Sequence, residues 1–147
     1  MASITLPDTL PADLPARLAA QMAPFRLIEG WGVQLEDLAP GQAVLRAGPS
    51  EVLLNPGTET VNGGVLATLA DMACALALCT AFGGEMPFAT SDLHIRYLEP
   101  AQGAVRVEAR VIRLSNRGSV LECTLTSGDE AVALCTCHFA LHLRDRR

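Results

Sequence analysis

The chain has 147 residues, of which 50% are hydrophobic and 18% are charged. This size and composition are typical of one folded domain with its own hydrophobic core. The net charge is −5, and the 11 basic side chains are all arginines. The acidic balance argues against nucleic-acid binding, and a chain without lysine cannot form a Schiff base.

The five cysteines bear on the compartment rather than on metal binding. They stand at positions 74, 79, 123, 135 and 137, an odd number without the paired spacing of zinc ligands. The start of the sequence lacks the basic and apolar segments of a signal peptide. We therefore expect reduced core cysteines in a cytoplasmic protein.

The chain divides into a short first part and a main domain. Residues 1–24 are predicted to form a loose arm and a short helix, Asp13–Met22, which Pro24 ends. Asp13 is predicted to be the N-cap of this helix, because its carboxylate can accept hydrogen bonds from free backbone N–H groups. Residues 25–147 are predicted to form the main domain.

Alternation of apolar and polar residues predicts six strands in the main domain. Turns rich in Gly, Pro, Asn and Asp join most of them, and such tight connections favour an antiparallel sheet. A loop at 48–61 and one long apolar helix interrupt the series. The predicted strands are Trp31–Leu38, Gln42–Ala47, Phe88–Leu98, Gly103–Leu114, Ser119–Thr126 and Ala131–Leu143.

The long helix follows Asn62, and its side chains are almost all apolar or small. The run Val65–Phe82 is long enough to span a membrane. A carboxylate near its middle, Asp71, and the amphipathic strands that follow favour a buried helix that packs on the sheet instead. A carboxylate in such a helix is costly unless it is hydrogen-bonded or functional, so Asp71 is the leading candidate for chemistry.

Helix geometry places Asp71 about 10 Å along the axis from the helix start. Gly63 and Gly64 at that start let a ligand oxygen approach backbone N–H groups, where the helix dipole adds positive potential. A structural role, in which Asp71 binds hydroxyl groups of a neighbouring strand, fits the sequence equally well. The small side chains expected to share its face are Ala67, Thr68, Cys74 and Ala75.

Two motifs resemble those of a known family. Asn62-Gly63-Gly64 followed by Leu69-Ala70-Asp71 resembles the His-Gly-Gly…Leu-Ala-Asp signature of the PaaI-like (phenylacetic acid degradation) acyl-CoA thioesterases. The stretch from Thr90 to Ala101 is similar to the family's next strand, Ser/Thr-x-x-Leu-x-x-x-Tyr/Phe-Leu-x-Pro-Ala. The resemblance implies an α+β hotdog fold, in which an antiparallel six-stranded sheet wraps around one long central helix.

The resemblance also implies roles for individual residues. Asp71 would be the nucleophile or general base, and the Gly64 N–H would polarise the thioester carbonyl. Thr90 would help to hold the attacking water, and Asn55 would match an asparagine of the family's loop. Asn62 stands where the family has histidine, and an amide can orient a ligand but cannot titrate near neutral pH.

The substrate and the assembly follow from the same resemblance. The expected reaction is hydrolysis of an aromatic or medium-chain acyl-CoA without a metal or cofactor, at sites between the protomers of a homodimer or homotetramer. Gly63 would lie against the substrate, and Arg113 and Arg117 would meet the phosphates of coenzyme A. Because Asn62 replaces histidine, a non-catalytic acyl-CoA-binding protein is the alternative.

Three histidines and a second carboxylate are weaker candidates. His138 and His142 alternate onto one face of the last strand, where surface positions are favoured over a metal pair. His94 is expected on the face of the sheet, and Asp92 is expected to have a structural role.

Overall fold

The computed structural model describes residues 4–142 of the chain. In this part of the chain, two α-helices, six strands and three 3-10 turns form one α+β unit. The predicted end of the last strand at Leu143 lies outside the described residues. The helices are α1 (Leu14–Met22) and α2 (Gly63–Cys79), the strands are β1 (Gln34–Ala39), β2 (Gln42–Ala47), β3 (Phe88–Tyr97), β4 (Val105–Ser115), β5 (Gly118–Ser127) and β6 (Glu130–Leu141), and the 3-10 turns are Arg26–Ile28, Glu51–Leu53 and Thr80–Phe82.

The six described strands form one antiparallel sheet in the order β1-β2-β4-β5-β6-β3, with β1 and β3 at its edges. α2 lies against the inner face of this sheet and contacts β2, β4, β5 and β6. Leu69 and Leu78 of α2 are fully buried, as are Leu121 and Leu125 of β5. This architecture confirms the predicted hotdog fold.

The sequence explains where α2 begins and ends. Asn62 precedes it with extended backbone angles, and Gly83 follows the last turn in the left-handed conformation that favours glycine. Between them, Ala and Leu have high helix propensity. The stretch Gly63–Phe82 is apolar and long enough to cross a membrane, but it is mostly buried inside the fold. The prediction of a central core helix is therefore confirmed.

One side of α2 is only partly covered in the protomer. Ala67, Asp71 and Ala75, which follow one another at intervals of one turn, are half-buried. The expectation that Cys74 shares this open side is wrong, because Cys74 is fully buried in the core. A residue three positions after Asp71 is rotated by about 60° around the helix axis, which here is enough to turn it towards the sheet.

The other departures from the predicted elements lie before α2. β1 begins at Gln34 rather than Trp31, because glycines with positive φ at positions 30 and 32 interrupt the extended backbone. Asp13 precedes α1 as predicted. Within the described residues, however, its carboxylate does not cap the helix and instead forms an exposed ion pair with Arg17.

α1 packs into the same core as the rest of the domain. Leu14 and Leu18 are almost completely buried and belong to the hydrophobic cluster that contains α2. Leu14 lies close to Gly84, where an added Cβ would meet its Cδ1 atom at 2.7 Å. The first helix therefore covers the C-terminal end of the α2 segment.

A buried hydroxyl group ties the end of α2 to the β1–β2 turn. Thr80 is 1% exposed. Its Oγ1 donates a hydrogen bond to the Ala77 carbonyl over 2.7 Å and accepts one from the Gly41 N–H over 2.8 Å. This one side chain thus satisfies a buried backbone donor of the first hairpin.

Replacing this hydroxyl should destabilise the fold. We expect Thr80→Val to lower the free energy of unfolding by about 1–3 kcal/mol, because valine leaves the buried Gly41 N–H without its acceptor. Chemical denaturation measures the change. Thr124→Val on the outer side of β5, where threonine is half-buried, is the control and should change stability by less than about 0.5 kcal/mol. Equal losses in both variants would refute this role.

Candidate active site

Asp71 lies in the middle of α2, where its carboxylate meets the edge strand β3. Thr90 Oγ1 donates a hydrogen bond to Asp71 Oδ1 over 2.8 Å. Asp71 is half-buried and Thr90 is exposed. The structure thus brings two of the predicted site residues together, at the open side of the helix rather than deep in the core.

The same strand meets the beginning of α2 through Tyr97. The Tyr97 hydroxyl donates a hydrogen bond to the Gly63 carbonyl over 2.6 Å. A Cβ added at Gly63 would lie 3.2 Å from the tyrosine ring, so the ring packs closely on the glycine backbone. No role for Tyr97 was predicted from the sequence, although Tyr97 occupies the aromatic position of the second motif.

Asn62 caps α2 and also binds the preceding loop. Its Oδ1 accepts a hydrogen bond from the Gly64 N–H over 2.8 Å, and its Nδ2 donates one to Asn55 Oδ1 over 2.7 Å. The N–H that the resemblance assigns to a substrate carbonyl therefore already donates to a side chain. A carbonyl oxygen that binds Gly64 has to take the place of the Asn62 oxygen.

The predicted residues form two groups along α2. Asn55, Asn62, Gly63 and Gly64 meet at the beginning of the helix, whereas Asp71 meets the threonine of β3 further along. Gly64 lies seven positions before Asp71, and the helical rise makes this distance about 10 Å. Within one protomer, the two groups therefore lie too far apart to contact one thioester carbon.

The two predicted arginines lie at the β4–β5 hairpin, and both are exposed. Gly118, which follows Arg117, pairs with Ala140 of β6. Ala140 pairs in turn with Ala89 of β3. The hairpin is therefore at the same end of the sheet as Thr90, about 10 Å away across two strand spacings. Arg113 lies four residues earlier, where β4 approaches this hairpin.

The weaker candidates lie on the surface. His94, His138, His142 and Asp92 are exposed, as the sequence analysis predicted for the histidines. Asp92 and His138 face each other as register partners of β3 and β6, away from the carboxylate of α2.

A cluster of thiols lies in the core next to the carboxylate of α2. Hydrogen bonds to Cys123 and Cys137 raise the pKa of Cys74, and the bond from Cys123 is the main cause that lowers the pKa of Cys135. The sulphur atoms of Cys135 and Cys137 are 3.7 Å apart. All five cysteines are buried free thiols, in agreement with the predicted reduced core.

Comparison with known proteins identifies the family. A sequence model of the thioesterase superfamily matches residues 58–134, which include α2, β3, β4 and β5. The chain belongs to the thioesterase superfamily. A protein from Halobacterium salinarum, which is named as a proposed esterase, is 38% identical to this thioesterase over 112 residues. The aligned residues are 73% of this chain and 74% of that protein.

Solved structures agree with this assignment. A conserved protein from Pseudomonas aeruginosa has a TM-score of 0.75 at 31% identity, over 83% of this thioesterase and 97% of its own chain. A mutant of the phenylacetic acid degradation protein PaaI from Thermus thermophilus has a TM-score of 0.70 at 29% identity, over 78% and 97% of the two chains. The PaaI-like resemblance is confirmed, and the chain is a thioester hydrolase.

The capping role of Asn62 is testable through stability. We expect Asn62→Ala to lower the free energy of unfolding by about 1 kcal/mol, because the Gly64 N–H loses its acceptor. Asp13→Ala at the first helix is the matched control. It removes only an exposed ion pair and should cost less, which urea denaturation of the two variants can compare. Equal losses would show that Asn62 does not stabilise α2 as a cap.

Proposed function

We propose that this thioesterase hydrolyses the thioester bond of an aromatic or medium-chain acyl-CoA. The hydrogen bond from Thr90 Oγ1 to Asp71 Oδ1 is the observation that carries the proposal. It orients the carboxylate on the open side of α2, beside alanines that leave room for a ligand. The similarity to a phenylacetic acid degradation protein supports an aromatic acyl group.

In the proposed reaction, Asp71 acts on water or on the thioester itself. As a general base it takes a proton while the water oxygen bonds to the thioester carbon, and the carbonyl oxygen becomes an oxyanion on the Gly64 N–H. The C–S bond then breaks, and the thiolate of coenzyme A takes the proton. As a nucleophile, Asp71 would expel the thiolate first, and water would hydrolyse the mixed anhydride. Thr90 orients the carboxylate and the water in either route.

A complete site needs two protomers. The acid–base group and the oxyanion donor must each lie within about 3 Å of the reacting atoms. Asp71 and Gly64 are seven positions apart in one helix, which corresponds to about 10 Å along its axis. Antiparallel packing of α2 from two protomers would place Asp71 of one opposite Gly64 of the other, in a homodimer or in a homotetramer built from two dimers.

The edge strand β3 supports this assembly. It has 10 residues, and Tyr97 at its end and the adjacent Leu98 are 50% and 43% exposed. Such an edge presents backbone N–H and C=O groups that can pair with another strand. Pairing of β3 with its copy around a twofold axis would join two sheets and bring together the open sides of the two central helices.

The remaining parts of the proposal concern the substrate and the compartment. Gly63 and Asn55 lie beside the proposed oxyanion donor and would line the substrate. The exposed guanidinium groups of Arg113 and Arg117 suit the phosphates of coenzyme A. The five free thiols favour a cytoplasmic location.

The alternative from the sequence, a non-catalytic acyl-CoA-binding protein, conflicts with the assignment of the chain as a thioester hydrolase. It is favoured by one observation, that the Asn62 oxygen covers the Gly64 N–H. An assay of free thiol release with a panel of aromatic and medium-chain acyl-CoA thioesters distinguishes the two. Binding without release of thiol would contradict the proposed hydrolysis of these acyl-CoA thioesters.

Removal of the carboxylate should greatly reduce turnover without unfolding the protein. Asp71→Asn is expected to lower kcat by about a hundredfold or more, the usual loss when a general base is removed. Asp129→Asn is the matched control, since it changes an exposed carboxylate in the turn between β5 and β6, which belongs to neither α2 nor β3, and it should retain wild-type turnover. Turnover near the wild-type level in Asp71→Asn would show that the catalytic assignment is wrong.

The shared site also makes activity depend on assembly. We expect light scattering at the assay concentration to find a dimer or tetramer, and we expect specific activity to fall when dilution separates the protomers. An active monomer would contradict a site formed between two protomers.

A further inference from the structure

A chain of polar side chains leads from the loop before α2 to the helix start. The Gly64 N–H donates to Asn62 Oδ1, and Asn62 Nδ2 donates to Asn55 Oδ1. Asn55 Nδ2 then donates to Thr60 Oγ1 over 3.2 Å. The Thr60 hydroxyl lies 3.0 Å from Thr58 Oγ1, which itself donates to the Asn55 carbonyl over 3.1 Å. We call these five residues the relay.

The bonds from Gly64 through Asn62 and Asn55 to Thr60 each have one possible direction, because the Gly64 N–H can only donate. The Asn62 oxygen must therefore face Gly64, which turns the NH2 group of Asn62 towards Asn55. By the same reasoning, the Asn55 oxygen faces Asn62 and the NH2 group of Asn55 faces Thr60. The Thr60 hydroxyl accepts that bond, and either threonine hydroxyl can donate in the contact between Thr60 and Thr58.

The backbone holds the relay in place. The Asn55 N–H donates to the Thr60 carbonyl over 2.9 Å, and the Thr60 N–H donates to Thr58 Oγ1 over 3.1 Å. The Asn62 N–H donates to the Leu53 carbonyl over 2.7 Å. Both ends of the loop are thus fixed, and the Asn55 amide has Asn62 on one side and the Thr60 hydroxyl on the other.

We propose that Thr60 is a positioning residue of the active site. Through Asn55 it keeps the Asn62 oxygen on the Gly64 N–H, so that the oxyanion donor stays covered until a thioester carbonyl replaces that oxygen. The replacement of the Asn62 oxygen by a thioester carbonyl rests on the proposed function. The orientation of Asn62 by Thr60 does not, because it is a property of the free protomer.

A covered donor makes ligand binding depend on the strength of the relay. One N–H group supports one strong hydrogen bond, so a carbonyl that binds Gly64 displaces Asn62. Loss of the Thr60 hydroxyl removes a bond that orients Asn55 and thereby loosens Asn62. Carbonyl ligands should then bind more tightly. A residue that only stabilises the loop would weaken their binding or leave it unchanged.

The first measurement is amide hydrogen exchange at Gly64, followed by NMR. Thr60→Val removes the hydroxyl and keeps the side-chain shape, whereas Thr60→Ser keeps the hydroxyl. We expect exchange of the Gly64 amide to become about two- to tenfold faster in Thr60→Val, as the loss of one net hydrogen bond predicts. Thr60→Ser and the control Thr124→Val should exchange at the wild-type rate.

The second measurement compares two analogues of phenylacetyl-CoA that cannot be hydrolysed. In the ketone a methylene group replaces the sulphur and the carbonyl is kept, whereas the thioether lacks the carbonyl. Titration calorimetry should show that Thr60→Val binds the ketone about two- to tenfold more tightly than the wild type does. Its affinity for the thioether should be unchanged, and Thr60→Ser should bind both analogues as the wild type does.

Each result decides one part of the proposal. Unchanged Gly64 exchange in Thr60→Val would show that Thr60 does not hold Asn62 in place. If Thr60→Val bound the ketone as tightly as the wild type or more weakly, the Asn62 oxygen would not compete with a carbonyl for the Gly64 N–H. A wild type that releases no thiol from any acyl-CoA would instead refute the proposed function, and the exchange measurement would still decide the role of Thr60.

Discussion

The packing of α2 against the inner face of the sheet is the contact on which the rest of the molecule depends. Its buried sides, with Leu69, Ala70 and Ala73 completely covered, contact the central strands. The side that remains open lies along the edge strand β3 and carries Asp71. Because the helix is rigid, this packing also fixes the distance from the carboxylate to the helix start. A second protomer is the simplest way to bring both to one carbonyl.

The edge strand β3 and the loop before α2 hold the two ends of the site differently. β3 binds the helix twice, with Thr90 on the Asp71 carboxylate and Tyr97 on the Gly63 carbonyl. The loop places the Asn62 amide over the Gly64 N–H. A histidine at this position, as in the PaaI-like signature, would offer a different acceptor geometry, so asparagine here changes the surroundings of the proposed oxyanion donor and leaves the bond from Thr90 to Asp71 unchanged.

Much of the fold was predictable, because it follows from patterns that are local in the sequence. The period-two strands, the Gly-Gly start and the apolar helix determine the layers, and the single carboxylate of that helix pointed to Asp71. Contacts between distant segments were not predictable. Three such features are that Cys74 faces the core, that Asn62 caps α2, and that the Tyr97 hydroxyl binds the Gly63 carbonyl. They depend on side-chain rotamers and on the path of the loop, which spacing alone does not specify.

Asp71 of one protomer and the Gly64 N–H of a second protomer are proposed to form one site. Mixing two inactive variants tests it most directly: Asp71→Asn lacks the carboxylate, and Gly64→Pro lacks the N–H at a first-turn position that tolerates proline. After equal amounts are unfolded and refolded together, half of the dimers are mixed and each has one intact site. We predict about a quarter of wild-type activity for the mixture. Activity no higher than that of the separate variants would contradict the shared site.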